Sequence, residues 1–113
     1  MEKIITISNK DYKMKASALT QFSYKNETGR SFLKDLQKLT SVDLDNIEAL
    51  DDITELILKV AYVMVKEADK TQATNYEDFL SHIENIYTDI TWITEVLELA
   101  CSPLSGQLQT NQN

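Results

Sequence analysis

The chain has 113 residues, 42% hydrophobic and 26% charged, which fits one folded domain and excludes an intrinsically disordered chain. Two glycines and one proline are too few for an all-β design with many tight turns, so helices are expected. The net charge of −7 is divided, with eight Lys/Arg against four Asp/Glu in residues 1–40 and three against fourteen in 41–113, and this acidic remainder argues against nucleic-acid binding.

Lys3-Ile4-Ile5-Thr6-Ile7-Ser8 is β-branched and partly alternating, Asn9-Lys10-Asp11 is a turn cluster, and Tyr12-Lys13-Met14-Lys15 alternates strictly. Together they predict a β-hairpin over 3–15 with a three- or four-residue loop. A lone two-stranded ribbon is marginal in water, so Ile5, Ile7, Tyr12 and Met14 should lean on helices. Ser17 suits an N-cap for a helix over 17–28 that carries Leu19 and Phe22 inward. Gly29 reads as the residue that ends this helix in a left-handed turn, and Ser31 caps the next, over 31–40. There Phe32, Leu33, Leu36 and Leu39 keep a helical spacing.

After a polar connection, with room for one helical turn over Ile47 to Leu50, Asp52-Ile53-Thr54-Glu55 resembles a capping box and predicts a helix over 52–69. It carries one stripe of Ile53, Leu56, Ile57, Val60, Ala61 and Met64, and a second of Leu58, Tyr62 and Val65. Two apolar faces describe either a central helix or one covered by a partner. On the partner reading, Leu58, Tyr62 and Val65 are the candidate protein-binding residues. Thr74-Asn75-Tyr76-Glu77 opens a helix over 75–87 with Tyr76, Phe79, Leu80, Ile83 and Tyr87 on one side. A last helix over 89–101 carries Ile90, Ile93, Val96, Leu97 and Ala100 inward and Trp92 toward an edge, until Pro103 and Gly106 stop it. Residues 103–113 then read as a disordered polar tail. The expected fold is α+β and mainly α: one domain over 1–102, with an N-terminal β-hairpin packed on a bundle of about five helices.

Little here suggests catalysis. His82, the only histidine, sits beside Ser81 on an expected helix, where neighbours point about 100° apart and do not pair. Cys101, the only cysteine, rules out an internal disulfide, fits a reducing cytoplasm, and has no nearby cation to activate it. Asp43, Asp45, Glu48, Asp51 and Asp52 are dense, yet they lack the glycine and terminal glutamate of a calcium loop. No phosphate-cradling glycine motif is present, and Gly29 is therefore a structural residue. No cofactor, metal or catalytic residue is expected. The opening residues lack a signal-peptide pattern, and the apolar run from Leu56 to Val65, broken by Lys59, is too short to span a membrane. A soluble intracellular protein is expected, with the Asn26-Glu27-Thr28 sequon idle.

The stretch KIITISNKDYKMKASALTQFSYKNETGRSFLKDLQKL resembles the opening of tail assembly chaperones of long-tailed bacteriophages of Gram-positive bacteria. Shared features are a hairpin turn followed by Tyr (Lys10-Asp11-Tyr12), a short helix ending in Glu27-Thr28-Gly29, a second small helix, and an acidic, Leu-rich helical remainder. The chain departs from the pattern at Ser8-Asn9, where Asn-Gly is usual, and at Gln21 and Lys25, where acidic residues are frequent. The likeness spans residues 3–101 in order and size, with motif detail confined to 3–39. It implies a non-enzymatic helper in the host cytoplasm, absent from the mature virion, that binds the tape measure protein, keeps it soluble and recruits tail tube subunits. It also implies, in many members, a longer frameshifted product whose junction the tail Ser105 to Asn113 would suit. The charge division allows self-association by head-to-tail stacking, and equally describes solvated helix faces. Two other classes remain open: an acidic inhibitor that mimics nucleic acid, and a structural tail or head-completion component of the virion.

Overall fold

The computed structural model describes residues 1–43 and 45–112, with side chains as far as Leu104. Strands β1 (Glu2–Ile7) and β2 (Lys10–Lys15) form an antiparallel hairpin with Ile7 opposite Lys10 and Ile5 opposite Tyr12. The loop is therefore the two residues Ser8 and Asn9, both at positive φ (54° and 67°), and not the longer loop expected from Asn9-Lys10-Asp11. Positive φ at both positions is the twist that lets a two-residue turn join right-twisted strands. Period-two alternation puts Ile5, Ile7, Tyr12 and Met14 on one buried face, as the sequence predicts. That face lies on helices: β2 against α3 (Ile47–Ala68) and β1 against α5 (Thr91–Gln112).

Helix α1 (Ala18–Thr28) starts at Ser17, whose hydroxyl accepts from the Leu19 N–H within a capping box completed by Thr20. It ends at Gly29, where φ is 73° and the N–H donates to the Lys25 carbonyl at 2.8 Å. Ser31 caps α2 (Phe32–Thr40). The inward faces differ from expectation. Leu19, Phe22 and Leu33 are exposed, while Thr20, Tyr24 and Asp35 are buried. Polar anchors decide this: Ser17 and Thr20 hydroxyls each donate to the Glu67 carboxylate at 2.7 Å, and the Tyr24 hydroxyl donates to Asp35 at 2.7 Å. With Tyr24 and Thr20 turned inward, Leu19 and Phe22 must face out.

Helix α3 begins five residues before the expected start. Its cap is Asn46, which accepts from the N–H groups of Glu48 and Ala49. From Leu56 to Val65 every residue but Lys59 is buried, and α3 touches α1, α2, α4, α5 and β2. It is the central helix. A 3₁₀ turn over Lys70–Gln72 leads to α4 (Tyr76–Ser81), capped by Asn75. The expected helix over 75–87 stops at Ser81, because side chains elsewhere take over the backbone of the following loop. The Ser8 hydroxyl accepts from the Glu84 and Asn85 N–H groups at 3.1 and 3.0 Å, and Trp92 Nε1 donates to the Ile86 carbonyl at 3.0 Å. Trp92 is correspondingly buried and not at an edge.

Helix α5 runs through Pro103, where a stop was expected. A proline removes the N–H that would serve the carbonyl four residues back. Here that carbonyl, of Leu99, accepts from the Ser102 hydroxyl at 2.6 Å. The backbone of the expected tail over 103–113 thus belongs to α5 as far as Gln112, and its side chains from 105 onward lie outside the described residues. The fold is α+β and mainly α, an N-terminal hairpin on five helices. No described helix is long and apolar enough to cross a membrane.

Candidate interaction surfaces

The three residues singled out from the sequence, Leu58, Tyr62 and Val65, are buried. Tyr62 packs edge-on to Tyr76 at 5.5 Å between ring centroids and tilted against Phe79 at 5.8 Å. The second stripe of α3 is therefore buried, with Tyr62 covered by the chain's own α4, and offers no surface to a partner in this conformation. A docking surface has to be sought elsewhere.

The polar candidates are also placed by local geometry. His82 caps the C-terminus of α4, outside the regular helix, so Ser81 Oγ does come within 3.3 Å of His82 Nδ1. The pair is not a nucleophile and base. Ser81 donates its proton to the Asp78 carbonyl at 2.7 Å, and His82 Nδ1 lies 2.8 Å from the same carbonyl, which assigns the ring proton to Nδ1. Both groups are donors there, and neither activates the other. Burial pushes the Cys101 thiol up, away from thiolate reactivity. Among the described residues, no three His, Cys, Asp or Glu side chains gather closely enough to hold a metal ion.

Among the described residues, Met1 and Ile4 of the hairpin are exposed, and two further places group exposed apolar side chains beside a depression. The first lies on α1 and α2. A partly buried cluster fixes these helices together: Arg30 Nε and Nη2 donate to the two Asp35 oxygens at 2.8 and 3.0 Å, and the Tyr24 hydroxyl joins at 2.7 Å. The Arg30 hydrogen bonds hold the Asp35 carboxyl below the ordinary carboxylate range against the opposing effect of burial. Burial, with the Asp35 hydrogen bond second, pushes the Tyr24 phenol far up, so it remains a donor. Outside this anchor, Phe22 (59% exposed) and Leu33 line one shallow depression with Lys25, and Leu19 is exposed one turn before Phe22.

The second place is the start of α3. Asp43 Oδ1 accepts from the Asp45 N–H in a tight turn, Asn46 caps, and Ile47 follows as the first helical residue, 80% exposed. Tyr87, on the loop after α4, is 50% exposed, and its hydroxyl is 2.7 Å from Thr54 Oγ1, which ties the loop to α3. Ile47 and Tyr87 are shared by two adjacent depressions. One, of about 540 Å³, reaches Leu50 and Ile90 and is bordered by Asp45 and Asp89; the other is bordered by Glu48, Asp51 and Asp52. Asp51 and Asp52 lie beyond the first turn of α3 and are exposed, so they are surface carboxylates and not the helix cap that the sequence suggested for Asp52.

Sequence reasoning missed both surfaces for the same reason. It assigned Leu19, Phe22, Leu33 and Tyr87 to the core by periodicity, which cannot rank one helix face against another when polar anchors compete. A usable signal existed at Ile47: an Asn cap immediately before it extends α3 outward past the hairpin-facing stripe. No family model, no curated protein and no solved structure matches this chain.

Proposed function

We propose that this chain is a non-enzymatic protein-binding helper of the phage tail assembly kind. It binds the tape measure protein, keeps that protein soluble, recruits tail tube subunits, works in the host cytoplasm and stays out of the mature virion. The observation that carries the reading is the pair of apolar surfaces, Leu19–Phe22–Leu33 on α1 and α2 and Ile47–Tyr87 at the start of α3 and the loop after α4, exposed while other residues of the same helices are buried. Apolar side chains grouped on a rigid helical surface mark association sites. The depression beside Phe22 and Leu33 shares no lining residue with the two at Ile47 and Tyr87, which suits a molecule that engages two partners. The resemblance of residues 3–39 to tail assembly chaperones supplies the identity of those partners.

Co-expression with the tape measure protein of the same genome tests this. The tape measure protein should move from the insoluble to the soluble fraction and co-purify; its remaining insoluble at equal expression removes the reading. Mass spectrometry of purified virions separates the chaperone from a structural tail or head-completion component, which alone would be retained in them.

The exposed carboxylates Asp45, Glu48, Asp51 and Asp52 favour one second reading, an acidic inhibitor that occupies a nucleic-acid-binding surface. Such a protein displaces DNA from a basic partner in a gel-shift competition. A chaperone does not.

A further inference from the structure

We propose that the Ile47–Tyr87 surface is the docking site for a basic amphipathic helix of a partner protein. The inference rests on the protein-binding reading above and names the chemistry of the partner at one of its two surfaces. Two adjacent depressions flank the exposed Ile47 and Tyr87 side chains, a shape that receives two apolar side chains spaced one turn apart on an incoming helix. Among the described residues, five carboxylates border these depressions and no lysine or arginine lines either. Docking on apolar surface ringed by negative charge is most favourable when the arriving flanks are positive. The surface is also firmly built: Asn46 caps the helix that carries Ile47, and Thr54 holds the Tyr87 hydroxyl.

A second copy of this chain is the nearest competitor, since α1 exposes Leu19 and Phe22 one turn apart. Its charge is a poor match. The Phe22–Leu33 depression is lined by one cation, Lys25, against the five carboxylates of the Ile47–Tyr87 surface. Within the depression itself, one cation would meet five carboxylates. A partner helix with several Lys or Arg flanking its apolar residues neutralises them.

The probe is a fluorescein-labelled synthetic helical peptide with two Leu one turn apart and Lys on both flanks, read by anisotropy against the full chain. Its Glu-flanked counterpart is the control. The Lys peptide binds, weakens steeply with added salt, and loses roughly tenfold or more in affinity on Ile47→Ser, a change that removes no charge. Circular dichroism verifies that Ile47→Ser is folded, and Phe22→Ser leaves peptide affinity unchanged. Equal binding of the Glu peptide overturns the proposal, as does undiminished binding to folded Ile47→Ser. Concentration-dependent self-association that Ile47→Ser abolishes, without peptide binding, assigns the surface to a second copy and equally overturns it. Co-expression with the tape measure protein keeps the two readings apart. Solubilisation by the unmodified chain without any binding of the Lys peptide to it leaves the function and removes this site. Peptide binding without solubilisation by the unmodified chain removes the function and leaves the site.

Discussion

The side-chain amide of Gln72 bonds both backbone polar groups of Lys13, 59 residues earlier in the chain. Lys13 N–H donates to Gln72 Oε1, and Gln72 Nε2 donates to the Lys13 carbonyl, both at 2.8 Å. The same Nε2 reaches the Val65 carbonyl at 3.0 Å, near the end of α3. One glutamine therefore substitutes for a third strand along β2, closes part of an edge that could pair with another chain, and ties the hairpin to the central helix. Gln72→Ala leaves the Lys13 N–H and carbonyl without their protein partner, while the Val65 carbonyl keeps the Asp69 N–H; the Lys13 groups are exposed and can bond to water, so the loss should be about 0.5–1.5 kcal/mol. Chemical denaturation measures this. Amide exchange at Lys13 should accelerate in the variant, and an unchanged rate there would show that the clamp does not protect the edge.

The Tyr24–Asp35–Arg30 cluster makes stability depend on acid. The folded state depresses the Asp35 carboxyl through the Arg30 hydrogen bonds, then the Tyr24 bond and the Arg30 and Lys38 charges, against the raising effect of burial. A depressed carboxyl contributes stability that is fully present above its unfolded value, near pH 4, and is lost as pH falls through the folded value. Denaturation midpoints taken between neutral pH and pH 2 should fall below about pH 4, and Asp35→Asn should remove part of that slope. At neutral pH the same variant should lose about 1–3 kcal/mol, because Arg30 is half-exposed and can return to water. A variant whose acid slope matches the unmodified chain would remove Asp35 from the account.

Tyr12 is a test in the opposite direction. Its ring packs edge-on to Phe79 at 5.4 Å, but its hydroxyl is buried with no hydrogen-bond partner among the described residues. Burial, with the charge of Asp78 second, pushes its phenol up, so the proton stays on and the desolvation cost remains. Tyr12→Phe keeps the ring contact and removes the stranded hydroxyl, so stability should hold or rise by about 1 kcal/mol. A clear loss of stability would mean that the hydroxyl has a partner after all.

Gly29 isolates a backbone effect. An added Cβ there meets nothing within 4 Å, so Gly29→Ala tests only the positive φ of 73°. The expected loss is about 1 kcal/mol, seen as a melting temperature a few degrees lower. The same melting temperature in both proteins would contradict the left-handed turn between α1 and α2.

How much was legible in the sequence depended on the physics behind each element. The hairpin's inward set was readable because a strand has two faces and only one of them was apolar. The ends of α1 and α2 were readable because Ser17, Gly29 and Ser31 act within their own turn. The inward face of α1 was not, because Glu67 and Asp35, distant in sequence, accept the hydroxyls that hold Thr20 and Tyr24 inside. Periodicity found the two stripes of α3 but left open whether the second was core. Packing of Tyr76 and Phe79 on Tyr62 closed that question.

The stop of α4 and the course of α5 mark the same boundary. Ser8, at the hairpin turn, takes the N–H groups of Glu84 and Asn85, which lie 76 and 77 residues away, and so competes with a helix that local propensity would have continued. Ser102, beside Pro103, supplies the bond that lets the backbone pass a residue expected to break it. By itself the sequence determined the fold class, the buried face of the hairpin and the left-handed stop at Gly29, because each follows from interactions within a few residues or from a single periodicity. Only the tertiary structure decided that Phe22 and Ile47 face solvent and that Leu58, Tyr62 and Val65 do not. Exposure is settled by which distant groups satisfy which polar atoms, and short-range propensity carries no record of that.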